Sequence, residues 1–344
     1  MLCYNYPREY FMQSEDFMAN YNHKHTLCIT DFLTDAQYTD LSDLIQKVID
    51  ENPNRTIYFP DGEYVISKPI LTPADPQKSV SLRLDDFAII RAADNWTNEE
   101  AMIRLGGKDA ANDIFSCGTN YGVEGGIIDC RSRANGISID SGRETYIRNT
   151  SIKNAKVGIH IKYGANSGSS DSDIFGVNIT GTGECDSVGA IIEGYDNTLT
   201  NMRIGNVFVG VDLIGAGNIL KNVHPLYYID SPSYERYDES VGFKNTNGRL
   251  NWFDFCYSDQ FATGFYTTHG GQYTNCYAYW YSEEQARHVA LDSAEAFDGR
   301  AIGMSINSSY PDKSHAVFTD GMKISEDAYF DNIWVLGKVI KNYV

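Results

Sequence analysis

Positive charge is what this chain has least of: 28 lysines and arginines stand against 46 aspartates and glutamates, a formal net charge of −18. Gripping phosphates takes clustered cations, so neither nucleic acid nor an anionic membrane is expected as a partner. A polyanionic glycan is disfavoured on the same ground unless bound cations bridge it. The seven cysteines include no CxxC pair, and their odd number argues against a fully disulfide-bonded framework. No stretch approaches the 18 apolar residues of a membrane span. The opening residues, MLCYNYPREYFMQSEDF, lack a basic segment followed by an apolar run. That reads as no signal peptide, so a cytoplasmic protein is the expectation, or a secreted one if a leader was removed. Proline is scarce at 9 while glycine reaches 30, a balance that suits tight β-turns.

What is present is a repeat. Glycines at Gly136, Gly158, Gly189, Gly210, Gly242, Gly264 and Gly303 each precede an alternating segment. The spacing reads as a unit of about 22 residues with insertions in every second step. One and three residues after the glycine the chain is mostly apolar, as in Ile137, Ile139, Ile159 and Ile161; two and four residues after it, mostly polar, as in Ser138, Asp140, His160 and Lys162. Side chains of a strand alternate between faces, so each unit supplies one strand with a buried and a wet face. A second strand follows about a dozen residues later, usually introduced by asparagine (Asn149, Asn201, Asn222, Asn251, Asn275). Asparagine suits turns of positive φ and can stack between coils. A leucine-rich horseshoe needs regularly spaced leucines, which are absent. The expected fold is therefore all-β, a single-stranded right-handed parallel β-helix over residues 31–344, preceded by an arm at 1–30.

An amphipathic segment at about 40–51, opened by Thr39-Asp40 and ended by Pro53, places Leu41, Leu44, Ile45, Val48 and Ile49 on one helical face. It is positioned to cap the exposed first coil. Two strand-like runs, TIYFP and EYVIS, follow, joined by the turn or hairpin dipeptide Asp61-Gly62. The order of Asp31-Phe32, helix, TIYFPDGEYVIS, GGIIDC, GISID and YIRNTSI resembles the pectate-lyase-like superfamily of β-helix proteins. The resemblance covers roughly residues 31 to 340 and implies the fold. It does not select an activity, because the superfamily spans lyases, polygalacturonases, fructotransferases, epimerases and tailspikes. The chain departs from the pattern after the aromatic start, where LTDAQYTD replaces the usual glycine-rich DGxxDD stretch.

Insertions near 163–173, 224–240 and 282–299 are expected to leave the helix as loops bordering one face. Beside them the outward row carries Asp140, His160, Lys162, Glu193 and Asp212. With coils about 4.8 Å apart and alternate residues about 6.6 Å apart, Glu193 and Asp212 have Cβ atoms about 8 Å apart, within reach of one sugar bond. Paired carboxylates at such separations supply the acid and the base or nucleophile of glycosidic cleavage. A polar row is equally what any solvated solenoid face offers. Other acidic places compete: Asp171 and Asp173, which with Glu184 and Asp186 could bring carboxylates to one rim and by themselves could hold calcium or form a plain polar loop; the tyrosine-dense HPLYYIDSPSYERYDES; and QYTNCYAYWYSEE.

The polygalacturonase motifs are not assembled: residues 268–271 read THGG and 151–153 read SIK, with no outward Asp-Asp pair. A uronate would also find few outward cations. A neutral glycan is thus the expected substrate, as for the trimeric inulin fructotransferases that the architecture resembles, although no residue carries over from them. The expectation is a carbohydrate-active enzyme needing no cofactor or metal. Glu193 and Asp212 would be its carboxylate pair, with Asp140 and His160 beside them and Lys162, Tyr266, His269, Trp280 and Tyr281 contacting sugar. Two alternatives stand: a calcium-assisted lyase on uronates, and a non-catalytic, tailspike-like glycan binder. Ile191 and Ile214, apolar in polar rows, point to a homo-oligomer, possible as a trimer.

Overall fold

The computed structural model describes residues 26–34, 39–110, 121–164, 169–281, 288–308, 315–318, 322–336 and 339–340. Most of the expected arm, residues 1–25, lies outside them. Eleven short strands, from Ile70–Pro73 to Val339–Ile340, pair in parallel and in chain order to form a front sheet. A second, 21-stranded sheet supplies two further strands per coil. In one coil these are Tyr146–Arg148 and Ser151–Ala155, which lead into the front strand Val157–Ile161. They define a side column and a rear column, and the chain winds as a right-handed parallel β-helix.

The glycine column has a steric cause. A Cβ built on Gly210 would meet the Gly242 carbonyl oxygen at 2.3 Å, and one on Gly136 the Gly158 oxygen at 2.4 Å. Each glycine therefore makes room for the next, and the column ends at Gly264, whose neighbour is Ala290. Gly303 does not belong to it. That residue sits at φ 67° in a turn, and Met304 and Ile306 point into the core from the rear column. The front strand that follows Gly264's in the column is Val289–Ser293, where Ala290 stands in the glycine's place.

Two asparagine ladders run along the helix. On the outside, Asn149, Asn201, Asn222 and Asn275 adopt φ between 52° and 55° at the turn between side and rear columns. Asn251 was expected among them but serves elsewhere, and Phe255 takes its turn position at φ 52°. Inside, Asn197, Asn218 and Asn251 are fully buried, and each side-chain oxygen accepts from the backbone N–H of the coil before it, at 3.0 Å. The ladder continues through Asn251 Nδ2, which donates to Asn245 Oδ1 at 2.8 Å. Such bonds satisfy buried backbone donors that would otherwise cost about 1–3 kcal/mol each.

The core changes character along the axis. Early coils stack Ile137, Ile159, Ala190 and Val211; later ones stack rings, with Phe243 on Phe265 at 4.9 Å and 5°, and Phe253 on Tyr273 at 4.8 Å. Helix α1 (Ser42–Glu51) covers the first coil and buries Ile45, Val48 and Ile49. Gln46 donates to the Leu71 carbonyl and accepts from the Leu71 N–H at 2.8 Å, which pairs the exposed edge of the front sheet. Burial alone would raise Asp40, but hydrogen bonds from Ser42 and Ser67 outweigh it and hold this carboxyl below its ordinary value. The two runs around Asp61-Gly62 form no hairpin. They are successive strands of one coil, each pairing in parallel with the next.

Candidate functional site

The front sheet presents two outward rows. Register places Arg104, Ser138, His160, Ile191, Asp212, Lys244, Tyr266 and Asp292 side by side on successive coils. At the ends of the same strands stand Asp140, Lys162, Glu193 and Ile214. Among the described residues, connections enter where front strands begin, as at 227–240, and leave where they end, as at 162–164 and 169–172, so parts of two expected insertions border this face. Residues 282–287 of the third lie outside the described residues.

The rows divide into a spent half and an available half. Asp140 was expected near the reacting bond, yet it is only 4% exposed and fully engaged. Its Oδ1 accepts from Ser138 Oγ at 2.5 Å and lies 3.4 Å from Lys162 Nζ, while Oδ2 takes Arg104 Nε at 2.7 Å. Lys162 turns the same way, to Glu100 at 2.5 Å. These four groups form a closed ion network whose work is to hold the coils together. Glu100 and Arg104 were missed in the sequence because their coil carries Met102 where later coils carry glycine.

Further along, Glu193 and Asp212 sit on adjacent coils, their side chains 34% and 17% exposed. Glu193 Oε1 lies 3.3 Å from His160 Nε2, and its Oε2 accepts from the Tyr163 N–H at 3.1 Å. Asp212 Oδ2 accepts from Lys244 Nζ at 2.9 Å. Its Oδ1 is buried without a hydrogen-bond partner among the described residues. A buried carboxylate oxygen left unpaired is costly, so it marks a place where a ligand hydroxyl can donate. Exposed Tyr163, edge-on to Tyr195 at 5.8 Å, flanks Glu193 at the rim.

The expected sugar contacts are split by the fold. Tyr266 stays on this face, next to Lys244. His269 lies at the rim, where Nδ1 is 2.9 Å from Glu295. Trp280 is a core residue: 1% exposed, its indole N–H donates to the Phe261 carbonyl at 2.6 Å and its ring stacks on His288. Tyr281 belongs to the rear column, 6.4 Å from Tyr279. Residues Glu283 and Glu284 lie outside the described residues. Of the competing acids, Asp173 is ion-paired with Arg148 at 2.8 Å and Asp171 accepts from Ser170 Oγ at 2.9 Å. Among the described residues no group of three or more metal-ligating side chains is assembled, and no helix is long and apolar enough to cross a membrane.

No family model and no curated protein matches this chain. Solved structures of the same fold do. A double mutant of the tailspike protein of E. coli bacteriophage HK620 is 10% identical over 94% of this chain, with a TM-score of 0.68. The chain spans 64% of that protein's length. Another mutant of this tailspike, in complex with a pentasaccharide, is 10% identical, covering 97% of this chain and 67% of its own, at 0.66. The endo-xylogalacturonan hydrolase of Aspergillus tubingensis is 12% identical over 92% of this chain and 93% of its own, at 0.57. The likeness is one of fold: this chain shares with these proteins the right-handed parallel β-helix.

Proposed function

We propose that the protein is a carbohydrate-active enzyme that cleaves a glycosidic bond of a neutral oligo- or polysaccharide on its front face, by hydrolysis or by intramolecular transfer. The observation that carries this reading is the pair Glu193 and Asp212. They are partly exposed carboxylates on neighbouring coils, Glu193 held by the Tyr163 N–H beside His160 and Asp212 by Lys244, and Asp212 keeps a buried oxygen unpaired. Asp212, ion-paired with Lys244 at 2.9 Å, serves as base or nucleophile. Glu193, held by the Tyr163 N–H and 3.3 Å from His160, takes the other role, that of proton donor to the leaving oxygen.

The substrate's neutrality follows from the ion pairs. Arg104, Lys162 and Lys244 are each matched to a carboxylate, so a uronate would meet no uncompensated lysine or arginine among the described residues of this face. The two solved folds support a glycan ligand, one bound to a pentasaccharide and one named for xylogalacturonan hydrolysis. Glu193→Gln should lower turnover by about a thousandfold, within the usual span for a general acid, while leaving the melting temperature unchanged. A fully active Glu193→Gln protein removes the assignment.

Self-association belongs to the same reading. Ile214, Ile219, Leu250, Trp252 and Phe255 are 42–58% exposed along the side column, from its corner with the front sheet to its turn into the rear column. Ile219 pairs with Trp252 across coils, and the Leu250 carbonyl accepts from the Gly217 N–H. This apolar strip is of the kind that a second and third copy cover. Sedimentation equilibrium should give a trimer mass that Trp252→Glu reduces to the monomer; a monomeric parent protein contradicts it.

A further inference from the structure

The rear column carries a second ordered set of side chains that plays no part in the front-face chemistry. Register aligns Asn178, Arg203, His224, Tyr257, Tyr277 and Ser305 in one outward row. Beside it runs another: Leu226, Asp259, Tyr279 and Asn307. The rings are packed against each other between coils and along one strand. His224 stacks on Tyr257 at 4.0 Å and 16°, Tyr257 lies 4.8 Å from Tyr277, and Tyr277 6.0 Å from Tyr279. Tyr228 folds back from the 227–240 loop, its hydroxyl 3.0 Å from where a Cβ on Gly205 would lie.

Because ring faces are spent on ring faces, what this surface turns outward is edges and hydroxyls. The surface is a comb of hydrogen-bonding groups at coil spacing, spanning roughly 14 Å over four coils. Its donors and acceptors are already set. Tyr277 Oη accepts from Asn307 Nδ2 at 3.2 Å, which leaves its proton to donate. Asp259 is 8% exposed, with Oδ2 3.4 Å from His224 Nε2. Its Oδ1 is buried without a hydrogen-bond partner among the described residues. Burial and then the Asp259 charge push the hydroxyls of Tyr257 and Tyr281 up, and the Tyr257 hydroxyl also hydrogen-bonds to this carboxylate, which thus sits among the phenols.

We infer that this rear face binds a neutral oligosaccharide laid along the helix axis, at a site separate from Glu193 and Asp212. The inference rests on the reading that the chain handles carbohydrate, and it adds a place that holds glycan without cutting it. A glycan offers hydroxyls that both donate and accept, which the Asp259 oxygen and the Tyr277 proton complement. An anionic ligand is disfavoured: Arg203 is turned onto the Met202 and Asn222 carbonyls, and Asp259 supplies negative charge. A long polymer anchored here would remain on the protein between cuts at the front face.

The test is calorimetric titration of the Glu193→Gln protein with a panel of neutral gluco-, galacto-, manno- and fructo-oligosaccharides, repeated with Tyr277→Phe and Asp259→Asn added. Both additions keep the side-chain shape, and thermal melting verifies the fold. The expected result is affinity at least tenfold weaker in the triple variant for whichever sugar binds. Unchanged affinity overturns the inference, and so does a panel in which nothing binds. Wild-type cleavage is followed separately by mass spectrometry. Cleavage without binding that depends on Tyr277 sinks the rear site alone; binding that depends on Tyr277 without cleavage sinks the front-face reading alone.

Discussion

The front and rear faces are cut from the same coil, yet their side chains are used differently. On the front, charges of both signs alternate, and most of them neutralise each other: Arg104 with Asp140, Lys162 with Glu100, Lys244 with Asp212. On the rear, neutral phenols line up on their own ring faces around one carboxylate. Comparing them shows that a polar row is not itself a site. What distinguishes Glu193, Asp212 and Asp259 from their neighbours is capacity left over, either exposure or an oxygen without a partner. Asp140 has the same chemistry with none left.

That contrast can be broken by exchanging what is lost. Glu193→Gln carries the largest expected effect, about a thousandfold in turnover with stability preserved. Asp140→Ala should do the reverse in kind. It leaves Arg104 and Lys162 partly buried without their shared anion, at a cost of about 3 kcal/mol in thermal or denaturant unfolding. If Asp140→Ala is as stable as the parent and merely inactive, the division into spent and available halves is wrong. Tyr277→Phe with Asp259→Asn, at tenfold or more in glycan affinity, comes next and sharpens the rear side of the comparison.

The smallest effect concerns neither face. The Asp40 carboxyl lies below its ordinary value in the folded protein, so its contribution is present above the unfolded value, about 4, and is lost as pH falls through the folded one. Parent and Asp40→Asn proteins should therefore differ in melting temperature at neutral pH and converge in acid below about pH 4. A gap that persists there would place the stabilisation elsewhere.

Much of this molecule was legible as sequence because its repeat is steric. A column of glycines that must clear the next coil's carbonyls leaves a fixed mark every turn, and the alternation after it separates core from surface. The helix that covers the first coil was readable for the same reason, from the spacing of Ile45, Val48 and Ile49. The reading slipped where the mark changed. Ala290 replaces glycine, which shifted attention to Gly303, and Phe255 replaces asparagine in the turn column. Trp280 was misplaced although its parity was available: Cys276, Ala278 and Trp280 alternate with Tyr277, Tyr279 and Tyr281, and the first set is buried. The fate of Asp140 was not legible. Arg104, its closest cationic partner, comes from a coil without the glycine mark, 36 residues away, as does Glu100, which shares Lys162 with it. The buried ladder of Asn197, Asn218 and Asn251 likewise needed the register of three coils to be known.

Cleavage of a neutral glycan by Glu193 and Asp212 is read most directly in its products. The wild-type protein is incubated in heavy-oxygen water with pooled neutral and uronate oligosaccharides, and the products are analysed by mass spectrometry. The prediction is that neutral members split into fragments that gain the elements of water, with heavy oxygen incorporated, or into anhydride-type fragments by internal transfer. Unsaturated fragments from the uronates alone, or a pool that stays intact, would contradict it.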